Sequence, residues 1–265
     1  MDRPLTRTRL TAPPPPRRFV RRGLLIDALE REVSAHPLTL VSAPAGYGKS
    51  TLLAAWARET ALPTAWLTVE REDDDVVTFL RCLVAAWEHV DPTIITEPPG
   101  ILLGGMGPDA NATATEVVEA IARRDEPLVF VLDDWHLIAD TRVHEVLTWI
   151  IDHMPPHGHV ILGTRERPPM PLVRYRARQQ VYELDAEDLR FGDAETTTFF
   201  NDVLALDLPG DRIGAITERV EGWIAGLQMA ALSLAGGSAT AEPVSGRQRF
   251  IADYLRDEVL ENVPA

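Results

Sequence analysis

Ala43-Pro44-Ala45-Gly46-Tyr47-Gly48-Lys49-Ser50-Thr51 is the stretch of this 265-residue chain whose residue types and spacing are fitted to chemistry on phosphate. Glycines allow successive backbone N–H groups to turn inward on phosphate oxygens, and a helix starting there adds the positive end of its dipole. In such a loop Lys49 reaches the β- and γ-phosphates and the Ser50 hydroxyl ligates magnesium. Ala43 stands where the strict pattern opens with glycine. Lys49 is nonetheless the only lysine in the chain, against 25 arginines, so this position needs a compact charge on a flexible stem.

Asp133-Asp134 follows 84 positions after Lys49, at the end of the apolar run Leu128-Val129-Phe130-Val131-Leu132. At the carboxyl end of a strand one carboxylate can hold magnesium, and its neighbour can orient or deprotonate an attacking water. Thr164-Arg165 ends a further apolar run, where a guanidinium could sense or stabilise the γ-phosphate. Arg167, Arg174, Arg176 and Arg178 follow closely, and position favours Arg165 among them.

The elements that must place these residues are legible as alternating runs. Leu38–Ser42, Ala65–Val69, Leu128–Leu132, His159–Thr164 and Val181–Leu184 read as strands. Helical spacing covers Ser50–Glu59, Val76–Val90, Thr115–Arg124 and Val143–Met154. Continuous apolar strands alternating with helices indicate a parallel sheet covered on both faces. The expected fold is therefore an α/β, three-layer domain around a central parallel sheet over residues 19–185. A small helical subdomain over 186–236 should follow, with helices at Asp193–Leu204, Asp211–Val220 and Trp223–Leu234. Residues 1–18, rich in arginine and carrying the proline run Pro13–Pro16, are expected to be a flexible arm. Residues 91–109 read as a loop and 237–246 as a linker. The amphipathic stretch Arg247–Asn262 exposes an apolar stripe that wants a partner, as if another domain began there.

Composition removes several function classes. The formal charge is −14, and the first 22 residues carry +6 of their own, which leaves about −20 on the body. Such a body repels phosphate backbones, so no direct nucleic-acid contact is expected from it. No apolar run approaches the roughly 20 residues a membrane span requires, and the N-terminal region lacks a secretory signal's apolar core. A cytoplasmic protein is expected. Cys82 reads as a core residue, and His136, His153, His157 and His159 lack zinc spacings and read as core or solvated.

With these motifs in view, the chain resembles the ATP-binding domain of large LuxR-type transcriptional regulators of the maltose-activator kind, which belong to the STAND class of P-loop signal-transduction ATPases. The likeness is carried by Val20 and Arg22, the loop at 43–51, Ala65-Trp66-Leu67, Leu132-Asp133-Asp134-Trp135-His136-Leu137, Thr164-Arg165, Arg176-Ala177-Arg178, Asp188-Leu189-Arg190-Phe191 and Glu221-Gly222-Trp223. The resemblance implies that Val20 and Arg22 lie near the adenine, that Asp133 serves magnesium, and that Arg165 acts as sensor. It further implies ATP or ADP as ligand, slow hydrolysis acting as a switch, and ATP-dependent self-association. It also implies downstream sensor and DNA-binding domains absent from this chain, with residues 247–265 as the start of a winged-helix segment. Ile224 stands where that family usually has a proline at the helical junction. The arginine-rich, lysine-poor usage fits a bacterial, GC-rich genome. Two other readings of the loop are a small-molecule kinase and an interaction module that binds nucleotide without cleaving it.

Overall fold

The computed structural model describes residues 5–91, 110–124 and 126–235. The linker at 237–246, the stretch 247–265 and all but the first residue of the loop at 91–109 lie outside them. The described chain divides into two compact units.

The first unit comprises the chain up to Pro15, Gly23–Ser42 and Lys49–Leu184. Five parallel strands form its sheet: β1 (Leu38–Ser42), β2 (Thr64–Thr68), β3 (Leu128–Asp133), β4 (Gly158–Thr164) and β5 (Val181–Leu184), in the order β2-β3-β4-β1-β5. The helices are α1 (Gly23–Val33), α2 (Lys49–Glu59), α3 (Val76–Val90), α4 (Ala110–Ala122), α5 (Thr141–His153) and α6 (Leu172–Ala177).

Strand side chains alternate between faces, and the core follows that alternation. Leu40, Leu67, Phe130 and Leu162 join one apolar core with α3, α4 and α5. Residues of opposite parity, among them Val41, Trp66, Val131 and Ile161, are equally buried on the other face, where α1 and α2 meet β1 and β4. The Trp56 indole on α2 donates to Glu30 on α1 at 2.8 Å and ties those helices together. The three-layer expectation holds. Its consequence for chemistry is that Asp133, of the same parity as Val129 and Val131, points to the side on which α2 begins. Register pairs Ser42 with Thr164 and Thr68 with Asp133, so these strands end at one edge of the sheet.

The N-terminal segment is not the detached arm expected from its arginines and prolines. Residues Arg7–Leu10 form a 3-10 turn and Leu10 is buried in the core. Arg9 donates to the Thr68 carbonyl at 3.1 Å and is ion-paired with buried Asp73, while Arg58 donates to the carbonyls of Ala12 and Pro13. A buried carboxylate and the Thr68 carbonyl on edge strand β2 thus bind the turn that precedes the proline run.

The second unit comprises Pro16–Arg22, Ala43–Gly48 and the chain from Asp185 onward. Its helices are α7 (Asp193–Thr197), continued by a π-turn over Thr198–Val203, then α8 (Gly210–Arg219) and α9 (Ile224–Ala235). Phe191, Phe199, Phe200, Ile213, Leu227 and Ala231 make its core, with Val20 packed against it. Residues 19–22 and 43–48, expected within the α/β domain, therefore group with the helices.

Candidate phosphate-binding and acidic-turn site

After β1 the chain passes through residues 43–48 and enters α2 at Lys49. Gly46 and Gly48 have φ of 77° and 83°, a left-handed backbone that favours glycine, which is why glycines occupy these positions. Within its unit the loop is held by its carbonyls: the Trp223 indole donates to Ala45 at 3.0 Å, and the Ala225 N–H donates to Gly46 at 3.1 Å.

Lys49 is buried, with 7% of its surface exposed. Desolvation lowers its pKa to about 8; Asp133 and Asp134 oppose that shift and Arg165 adds to it. Asp133 is also buried, and desolvation reinforced by Asp134 pushes its pKa up to about 6, against a hydrogen bond from the Ser50 side chain and the charge of Lys49. Its Oδ1 is buried with no hydrogen-bond partner. Asp134 has φ 60° and ψ 33°, so the strand stops abruptly and its side chain turns toward solvent.

The structure brings Lys49, Ser50, Asp133, Asp134 and Arg165 together in the α/β unit. Among the neighbouring arginines, Arg174 is paired with Asp152 and Arg176 with Glu183, whereas Arg165 acts on Lys49 and His136. Val20, Arg22 and the loop residues Pro44, Ala45, Gly46, Tyr47 and Gly48 belong to the helical unit. There Arg22 is consumed by local partners: Glu195 accepts from its Nε and Nη2 at 2.9 Å, the carbonyls of Leu189 and Arg190 each accept at 2.7 Å, and Phe191 lies beneath its guanidinium at 4.7 Å. Thr51 follows Ser50 in the first turn of α2.

His136 is the residue sequence reasoning missed. Its side chain is 8% exposed, and Nδ1 lies 3.9 Å from Asp134 Oδ1. Burial first, then Arg165, Lys49 and Arg71, depresses its pKa to about 4, so the ring is neutral near pH 7 and the contact is not an ion pair. Its place two residues after Asp134 was the available signal.

Several known proteins resemble the chain over most of its length. Residues 18–162 match the family described as AAA ATPase domain. The chain is 34% identical over 252 residues to the serine/threonine-protein kinase PknK of Mycobacterium tuberculosis, covering 92% of this chain and 22% of that protein. It is 30% identical over 236 residues to the HTH-type transcriptional regulator MalT of Yersinia enterocolitica, covering 87% of this chain and 26% of that one. The chain thus spans about a quarter of the length of these relatives. Among solved structures, a Signal Transduction ATPase with Numerous Domains carrying a tetratricopeptide repeat sensor, from Pyrococcus horikoshii, superposes with a TM-score of 0.59 at 15% identity, over 96% of this chain and 34% of that one. Because the match to that family spans residues 18–162, more than half of the chain, the chain belongs to the AAA ATPase domain family.

Proposed function

We propose that this chain binds ATP or ADP with magnesium and hydrolyses ATP slowly, as the nucleotide switch of a LuxR-type modular transcription regulator acting in the cytoplasm. The observation that carries this reading is a buried lysine at the head of α2, in the electrostatic company of two strand-ending aspartates and one arginine. Burial makes an ammonium costly, and the negative charge of a bound triphosphate would offset that cost beyond what the two aspartates supply.

The Ser50 hydroxyl and the Asp133 carboxylate, whose Oδ1 lacks a protein partner, are hard oxygen donors that suit magnesium. Among the described residues no cluster of three or more His, Cys, Asp or Glu side chains forms a cage, so such an ion would take its other ligands from phosphate and water. When bound it would neutralise phosphate charge. Lys49 and Arg165 add their own positive charge around the γ-phosphoryl group, and Thr51, in the first turn of α2, helps orient the chain of phosphates. Asp134 accepts the proton of the attacking water as the new O–P bond forms and ADP leaves with the electrons of the broken bond. His136, neutral and beside Asp134, can steady that carboxylate.

In the full protein this unit would work with sensor and DNA-binding domains, self-associate when loaded with ATP, and make no direct nucleic-acid contact. Among the described residues no helix is long and apolar enough to cross a membrane. Calorimetric titration of ATP into the parent and Lys49→Ala tests the reading: the variant should lose at least about tenfold in affinity, and equal affinities would overturn it. Asp134→Asn should bind ATP like the parent but stop releasing phosphate; undiminished release removes the hydrolytic role.

A further inference from the structure

The turn that carries Asp134 and His136 is gripped from behind by a residue the proposed chemistry leaves unused. His144, in the first turn of α5, is buried. Its Nδ1 lies 3.2 Å from the Trp135 indole Nε1, and its Nε2 lies 3.1 Å from the Ile138 carbonyl. An indole N–H only donates and a carbonyl only accepts, so the ring is the neutral tautomer protonated at Nε2, with both nitrogens satisfied. One imidazole therefore clips both ends of the segment from Trp135 to Ile138.

Packing fixes the same segment. The indole stands edge-on to His144 and to Phe79, with centroids 5.4 Å away in each case. From the other side Asp74 accepts from the N–H groups of Ala139 and Asp140 at 2.8 and 2.6 Å, and Asp140 caps the helix on which His144 sits. A left-handed aspartate, as at Asp134, is a conformation of order 1 kcal/mol uphill that persists only where its surroundings overdetermine it. These contacts supply that determination.

We infer that His144 is a positioning residue for the acidic turn, holding Trp135 and Ile138 so that Asp134 and His136 keep their orientation toward the phosphate site. The inference rests on the function proposed above. It requires that loss of the clip loosen the turn and slow the hydrolytic step while nucleotide affinity, which rests on Lys49, stays as it was.

His144→Phe keeps the ring's bulk and removes both hydrogen bonds, His144→Asn keeps an acceptor near Nδ1, and His144→Gln keeps a donor near Nε2. Three readouts are needed: amide hydrogen exchange at residues 137–140, ATP affinity, and single-turnover hydrolysis per folded molecule. In His144→Phe exchange at 137–140 and the loss of turnover should each reach about tenfold or more, with affinity within about twofold and the amides of β1 unchanged; the Asn and Gln variants should fall between. Unchanged exchange and turnover in His144→Phe would overturn the inference, as would turnover and affinity falling together. Should His144→Phe not fold, the Asn and Gln variants and Trp135→Phe carry the same comparison. Were the parent to show no ATP binding, the functional reading would fail, while the exchange data would still decide whether His144 holds the turn.

Discussion

Asp133 concentrates an electrostatic cost of folding on one carboxyl group. Its folded pKa of about 6 lies above its ordinary value of 3.8. The folded state therefore binds this proton more tightly than the unfolded chain. The stabilisation is present below about pH 4 and is lost as pH rises through 6, reaching about 2 to 3 kcal/mol. Asp133→Asn should accordingly raise the melting temperature of the nucleotide-free protein at pH 8, with the gain vanishing near pH 4. A thermal-unfolding series across that range checks it, and a gain independent of pH would assign the effect elsewhere. The residue types of the candidate site were legible because few side chains suit a triphosphate. The place of His136 beside them was not: solvated, core and site histidines look alike in sequence, and only the tertiary neighbours Lys49 and Arg165 set it apart.

Elements show the same division. Strand runs such as Leu128–Leu132 could be read because a strand buried on both faces must be apolar throughout, and Val181–Leu184 falls at its expected bounds. The short α6 was not anticipated, since six residues after Pro168, Pro169 and Pro171 carry too little periodicity. The expected single helix at Asp193–Leu204 is instead a short α-helix and a π-turn, whose wider winding accompanies the burial of consecutive Phe199 and Phe200. The docked N-terminal segment makes its own prediction. Asp73 is fully buried and Arg9 is its ion-pair partner. Arg9→Ala should therefore lower the unfolding free energy by about 3 kcal/mol in urea titrations, because an uncompensated charge stays inside. Adding Asp73→Asn should restore part of the loss. A free arm would show neither effect.

For the whole molecule the prediction concerns linkage. A ligand that binds only the folded state at a hundred times its Kd stabilises by about 2.7 kcal/mol. ATP with magnesium should raise the melting temperature of the parent by several degrees and that of Lys49→Ala by about half as much or less. Sedimentation with ATP and with ADP tests the proposed self-association, a larger species with ATP alone being the expected result. The net charge of −14 favours assembly through neutralised or apolar patches rather than a uniform surface, and sedimentation should accordingly rise with salt.

The sequence by itself determined the α/β class, the phosphate loop, the paired aspartates and the helical segment after the sheet, because each depends on local chemistry: glycine where φ is positive, apolar runs where both faces are covered, one lysine where a compact charge is required. Tertiary structure alone decided what depends on neighbours distant in the chain. It turned Arg22 into a latch on Glu195, drew Arg9 onto Asp73, and set His144 behind Trp135. Partner identity is a matter of three-dimensional proximity, and residue types at fixed spacings carry no record of it across 9, 64 or 173 positions.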